Sequence, residues 1–380
     1  MSFQKINLSD LKSNAKVKPE IMEKVWLLNL DQIESNTGKV LNYEEVPFQG
    51  IGSSTIYFQK GTVLYSKLRP YLNKVVIADR NGFATSELVP IVCNEELIYP
   101  KYLAYFLRSE SFLKFASNVV AGAKMPRMVM SEFWNYEIPL PPLSEQKRIA
   151  KILDKADELR QKRQQSIEKL DELLQATFID MFGDPVTNPK NLDYIQLGKL
   201  GNWASGGTPS RSNKTFFNGT IPWYTSGELN NIYVSDSIEK ISIEAIENSS
   251  TKLIPIGSLL LGMYDTAGLK SSITTIDSAC NQAIAFAKIN DNLANKLFVY
   301  HQIQLIKEHL KQKQRGVRQK NFNLTMIKEI EILNPKLELQ NSFAKTAARI
   351  EQQKQTLLKQ LNEQKNLFQS LQQRAFNGEL

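Results

Sequence analysis

The sequence predicts an α+β protein built twice over: two globular parts, each followed by a long helix, the two helices pairing as an antiparallel coiled coil with pseudo-twofold symmetry. Three observations predict it. Ser144 to Phe182 contains neither Pro nor Gly. A shift of 194 residues lays this stretch on a second copy, with Gln146 on Gln340, Ala150-Lys151 on Ala344-Lys345 and Phe182 on Phe376. Short β-rich runs punctuated by turn residues fill the region before each copy.

The first globular part spans 1–143. Strands are expected at Thr62–Tyr65, Lys74–Ala78 and Leu88–Cys93, separated by Gln49-Gly50, Lys60-Gly61 and Asn81-Gly82. One helix is expected over Tyr102–Asn118, followed by the basic glycine loop Ala121–Met128.

The first long helix, 144–182, follows Pro139-Leu140-Pro141-Pro142, which cannot itself be helical. Ser144 stands where an N-cap is wanted, and Glu145 lies in the first turn near the positive end of the dipole. Gly183-Asp184-Pro185 is a helix stop. Such a helix would be about 58 Å long. Ile149, Leu153, Ala156, Ile167, Leu170 and Leu174, then Phe178 and Met181, form an apolar seam with a polar break at Arg160 and Arg163.

The second globular part, 183–337 with its linker, repeats the order. Turn-rich Ser205–Arg211 opens it, with strands expected at Leu259–Met263 and Ala283–Ala287 and a helix over Asn295–Leu310. At the 194-residue shift Leu297 falls on Leu103 and Gly316 on Gly122. The closing helix, 338–380, carries the seam Phe343, Ala347, Ile350, Leu357, Leu361 and Phe368.

Composition narrows the function. The chain has 380 residues, 42% of them hydrophobic, enough for cores in both parts, and a net charge of +8 that suits a polyanionic partner without proving one. Two cysteines, Cys93 and Cys280, form no disulfide framework, and the charged first twenty residues do not read as a signal peptide. A cytoplasmic, soluble protein is expected. Enzymatic motifs are missing: Gly50-Ile51-Gly52 is no cofactor fingerprint, and no glycine loop ends in Gly-Lys-Ser/Thr. His301 and His309, eight residues apart, lack a ligand partner at metal spacing, so no metal site and no catalytic residue is expected.

Basic residues beside turns point instead to DNA. Arg315, Gly316, Arg318, Gln319, Lys320 and Asn321 combine phosphate-binding charge, a close backbone approach and side chains for base edges. Lys124 and Arg127 occupy the equivalent loop of the first half, and Ser66, Lys67, Arg69 and Lys74 add a basic stretch interleaved with Tyr65 and Tyr71. Thr208, Ser210, Arg211, Thr225 and Ser226 cluster around Trp223 and Tyr224 in the second half. The competing reading is core packing for the aromatics and a solvated surface for the charges. A rod with one globular part at each end would suit two DNA half-sites separated by helical turns. A coiled-coil scaffold that binds only proteins is the rival from another class.

The run Ile138-Pro139-Leu140-Pro141-Pro142-Leu143-Ser144-Glu145-Gln146-Lys147-Arg148-Ile149-Ala150, with the helix that follows, resembles the central conserved region of type I restriction–modification specificity subunits. Gly207-Thr208-Pro209-Ser210, Ile221-Pro222-Trp223 and Asn281-Gln282 are weaker echoes. The second copy departs from the pattern, keeping only Pro335, Leu337 and Gln340, and the first domain lacks the Gly-Thr-Pro opening. The resemblance implies two target-recognition domains, each reading half of a bipartite double-stranded DNA sequence, with the helices setting the gap. It also implies two adenine-N6 methyltransferase subunits as partners, with restriction and motor subunits joining through them. S-adenosylmethionine, ATP and magnesium would then belong to those partners and none to this chain.

Overall fold

A computed structural model describes residues 3–12, 23–264, 268–314 and 321–380, the side chain of Gln314 excepted. The chain divides into two compact units: residues 1–165 together with 357–380, and residues 166–356. Both divisions fall inside long helices, which run over Leu143–Phe182 and Leu337–Asn377. Each unit therefore holds one half of each long helix.

In the first unit the strand Lys5–Asn7 closes against Glu137–Pro139, with Ile6 opposite Ile138. A four-stranded sheet runs in the order Glu44–Pro47, Lys24–Leu28, Gly82–Ala84, Ile56–Phe58. A three-stranded sheet runs Val75–Ile77, Val63–Ser66, Leu88–Ile91. The expected helix over 102–118 is two helices, Pro100–Leu107 and Glu110–Asn118. Ser109 breaks it by capping the second, its hydroxyl accepting from Phe112 N–H at 3.4 Å.

The second unit repeats the plan. Tyr194–Gln196 closes against Glu331–Leu333, with Ile195 opposite Ile332. A five-stranded sheet runs Ala204–Ser205, Ile284–Ala287, Leu259–Gly262, Ser271–Thr274, Tyr233–Val234, and a three-stranded one runs Glu239–Ile241, Ile221–Tyr224, Ala279–Cys280. One helix, Lys296–Gln314, follows, then a short helix, Leu324–Glu329.

The glutamines that the repeat aligns turn out to be the joints of the fold. Gln146 is fully buried; its Oε1 accepts from Tyr99 N–H at 2.8 Å and its Nε2 donates to Leu97 O and Pro141 O, both at 2.9 Å. Gln340 does the same in the second unit, accepting from Asn295 N–H at 2.9 Å and donating to Pro335 O at 2.8 Å. Each amide thus satisfies the start of one helix and fastens it to the approach of another, and an apolar replacement would leave buried backbone groups unpaired. Because Tyr99 corresponds to Asn295, Leu103 falls on Val299, not on Leu297 as the 194-residue shift suggests. Ser144 is not the N-cap: Leu143 is already helical, and Pro142 O accepts from Glu145 N–H at 2.9 Å and Gln146 N–H at 3.0 Å.

Within each unit the helix halves are antiparallel. In the first, Arg148 donates to Leu380 O at 2.9 Å, while the Arg160 guanidinium lies 4.7 Å from the Phe368 ring centre. In the second, Lys354 pairs with Asp171 at 2.5 Å, and Phe178 and Phe182 meet Phe343 edge-on. The seam is more than helix on helix. Ile149, Leu153 and Phe368 belong to the core of the first unit, with Ala156 against it; Phe343 and Ala347 belong to that of the second, with Leu174 against it. Ile167, Ile350 and Leu361 are buried, Leu170 and Leu357 half-buried. The polar break is filled by a pair, Arg160 bonding the buried Asp157 at 2.5 Å with its flat face on Phe368.

Candidate nucleic-acid interface

In the first unit the strand end at Ser66, a turn at 85–87 and the ribbon Val120–Ala121/Arg127–Met128 converge. Lys67 N–H donates to Glu87 O at 3.0 Å, Met128 N–H to Lys67 O at 2.8 Å, and Arg69 N–H to Pro126 O at 2.7 Å. The two basic stretches singled out separately, 66–74 and 124–127, are therefore one place. Arg69 and Lys124 are exposed and Lys67 half-buried. Arg127 is engaged in a two-pronged ion pair with Glu87, at 2.7 to 3.1 Å, and its hydrogen bonds hold the Glu87 carboxyl below the usual range. The remaining two candidates point inward. Ser66 is buried with its hydroxyl donating to Leu68 O at 2.9 Å, and the Lys74 ammonium donates to Leu30 O at 2.6 Å.

The second unit builds the same end differently. Met263 N–H donates to Ala283 O and Phe322 N–H to Met263 O, both at 2.8 Å, so the strand end, the turn at 281–283 and the segment at 321–322 meet as their counterparts do. Onto this turn lies the strap Gly206–Arg211. A Cβ at Gly206 would stand 2.2 Å from Cys280 O, and one at Gly207 2.6 Å from Ser250, so only glycine lets the strap lie this close. The Trp223 indole N–H donates to Gly207 O at 3.0 Å and the Thr208 hydroxyl to Gln282 Oε1. The three weak echoes in the sequence are thus neighbours in space.

Thr208, Ser210 and Arg211 are exposed. Arg211 pairs with Glu239 through both forks, and its guanidinium lies 4.4 Å from the Phe217 ring centre and 5.3 Å from that of Trp223. Its hydrogen bonds depress the Glu239 carboxyl. Thr225 caps a single turn, its hydroxyl donating to Glu228 at 2.7 Å, and Ser226 begins that turn. Asn321 is half-buried. Arg315, Gly316, Arg318, Gln319 and Lys320 lie outside the described residues.

Among the described residues no group of three or more His, Cys, Asp or Glu is placed to hold a metal, and no helix is long and apolar enough to cross a membrane. Both cysteines are buried; burial pushes the Cys93 thiol up to about 12 and raises that of Cys280. His301 is buried beside a cavity of about 170 Å³ lined by Asp171, Gln175, Phe178, Gln304 and Phe343. Burial first, then the Lys354 charge, lowers its pKa from 6.5 to about 4. The unfolded chain then binds a proton that the folded unit refuses. The stability present above pH 6.5 is accordingly lost as pH falls towards about 4, by about 2–3 kcal/mol. His301→Phe is expected to shrink the drop in urea midpoint between about pH 7.5 and pH 4.5; an equal drop in wild type and variant would assign the acid sensitivity elsewhere.

Comparison with known proteins gives a family. A family model described as the type I restriction modification DNA specificity domain matches residues 39–169 and 189–365. The EcoDI specificity subunit of Escherichia coli is 28% identical over 41% of this chain and 36% of its own length. The EcoR124I/EcoR124II specificity subunit of the same organism is 26% identical over 61% and 57%. The chain thus matches well under two thirds of the length of either. The HindI specificity subunit of Haemophilus influenzae is 21% identical over 83% and 87%. Among solved structures, the S subunit of a type I system from M. genitalium superposes with a TM-score of 0.61 at 16% identity, over 98% of this chain and 96% of that one. A chain solved in work on assembly of the type I R-M system gives 0.60 at 18%, over 100% and 98%. At these identities the superpositions speak for the fold.

Proposed function

Because the chain belongs to the family of type I restriction–modification DNA specificity domains, we propose that each unit reads one half of a bipartite duplex DNA sequence. One observation carries this reading. Two units built on the same frame bring the same three segments to the same end, and there the side chains differ. Lys67, Arg69, Lys124 and Arg127 stand there in one unit; in the other Gln282 stands on the turn, and Thr208, Ser210 and Arg211 on the strap laid over it. A shared frame with divergent polar groups is what reading two different half-sequences requires. The exposed cations serve phosphate contact and the neutral polar groups base edges.

The long helices then set the distance between half-sites and dock two adenine-N6 methyltransferase subunits, through which restriction and motor subunits join. S-adenosylmethionine, ATP and magnesium are bound by those partners. The chain itself is a non-catalytic DNA-recognition subunit working in the cytoplasm.

The test is modified-base sequencing of host DNA with and without this gene, in cells where a methyltransferase co-purifies with the chain. The expected result is loss of N6-methyladenine from one gapped, two-part motif. An unchanged pattern despite co-purification would favour a protein scaffold instead.

A further inference from the structure

We propose that Ser86 and Gln282, the tips of two equivalent turns, are specificity-determining side chains, one for each half-sequence. The proposal rests on the DNA-reading function above and names residues that the charge pattern did not point to. The equivalence is set by the backbone. In the first unit Leu28 pairs in parallel with Ala84, Thr85 N–H donates to Leu28 O at 3.3 Å, and Leu88 N–H closes the turn on Thr85 O at 3.0 Å. In the second, Tyr224 pairs in parallel with Cys280, Asn281 N–H donates to Tyr224 O at 3.0 Å, and Ile284 N–H closes the turn on Asn281 O at 3.2 Å. The third turn residue accepts the same bond in both: Lys67 N–H to Glu87 O, and Met263 N–H to Ala283 O.

Each turn is thus held by three backbone bonds, one closing it and two tying it to neighbouring strand ends, the rigid mounting that a recognition side chain needs. Ser86 and Gln282 are exposed while their neighbours in the turn are partly or fully buried. Cationic candidates flank both: Glu87, beside Ser86, carries Arg127, and Gln282 accepts from Thr208, three residues before Arg211. With Oε1 engaged by Thr208 and no acceptor for its amide among the described residues, Gln282 has its N–H pair for an outside acceptor. Two donors match the O6 and N7 acceptors that guanine shows in the major groove, and a serine hydroxyl serves either sense.

The experiment uses the full chain co-purified with its methyltransferase subunits, in equilibrium competition between its gapped motif and every single-base variant of it. Gln282→Ala is expected to lower discrimination roughly 10-fold at one or two positions of one half and to leave the other half unchanged. Ser86→Ala should do the mirror image. Gln282→Glu keeps the acceptor for Thr208 and removes the donors, so it should reproduce the loss without disturbing the strap. For the two alanine variants the salt dependence of binding should stay as in the wild type, because neutral side chains displace no counterions.

Discrimination unchanged at all positions, or a changed salt slope with intact discrimination, overturns the proposal while leaving the wider reading in place. A wild-type complex without preference for any gapped sequence would overturn both.

Discussion

Phe376→Ala is expected to loosen the first unit, whose strands lie some three hundred residues earlier in the sequence, and to spare the second, in which its own helix begins. Phe376 meets Tyr102 at 5.5 Å and Phe106 at 5.1 Å between ring centres, both edge-on, inside the core that holds Ile149, Leu153 and Phe133. Around it Ala375 is fully buried, the Gln372 amide donates to Tyr105 O at 3.3 Å, and Arg148 holds Leu380 O. Truncating a phenylalanine in such a setting costs about 3–5 kcal/mol, the lost transfer energy plus an unfilled cavity. Hydrogen exchange separates the two units. Amides in Val63–Ser66 and Leu88–Ile91 should exchange about 100-fold faster or more. Those in Leu259–Gly262 and Ile284–Ala287 should keep their rates. Equal acceleration in both sets would mean that the units unfold together, and the division inside the helices would have no energetic meaning.

That contact illustrates what the sequence leaves unread. Periodicity shows that Phe368 and Phe376 lie on an apolar stripe, and the repeat shows that a second helix exists. Neither says that the last turns of the chain complete the core of the first unit, because a contact between residues some 270 positions apart leaves no local pattern. The duplicated frame was legible because paired positions such as Gln146 and Gln340 do the same buried work in both copies. The turn tips were not. Gln146 to Gln340 is a shift of 194, Ala84 to Cys280 one of 196, and Ile6 to Ile195 one of 189. Loop insertions change the offset between fixed elements, so a single shift puts Gln282 opposite Leu88 and hides its partner, Ser86.

Charge was a partial guide to the site for a related reason. It picked out Arg127 and Arg211, yet each is already held by a carboxylate, Glu87 or Glu239, from a distant part of the chain. It also picked out Lys74, whose ammonium serves the backbone of Leu30. Composition counts cations. Only the fold says which of them face outward.

If the helices act as the ruler proposed above, lengthening both is expected to change the gap and keep both half-sequences. Four residues inserted between Gln165 and Ser166, and four between Thr356 and Leu357, fall where the two units divide. The pairs described on either side, Arg160 with Asp157 and Phe368, and Lys354 with Asp171, keep their own neighbours. Four residues add about 6 Å of helix and slightly more than one turn. On that proposal the DNA half-sites must lie further apart to be engaged together. Modification mapping in the host should show both half-sequences retained with a longer gap between them. Persistence of the original gap would mean that something other than the helices fixes the spacing. Loss of one half-sequence would instead place the insertion inside a unit's own reading surface, which the position of the division argues against.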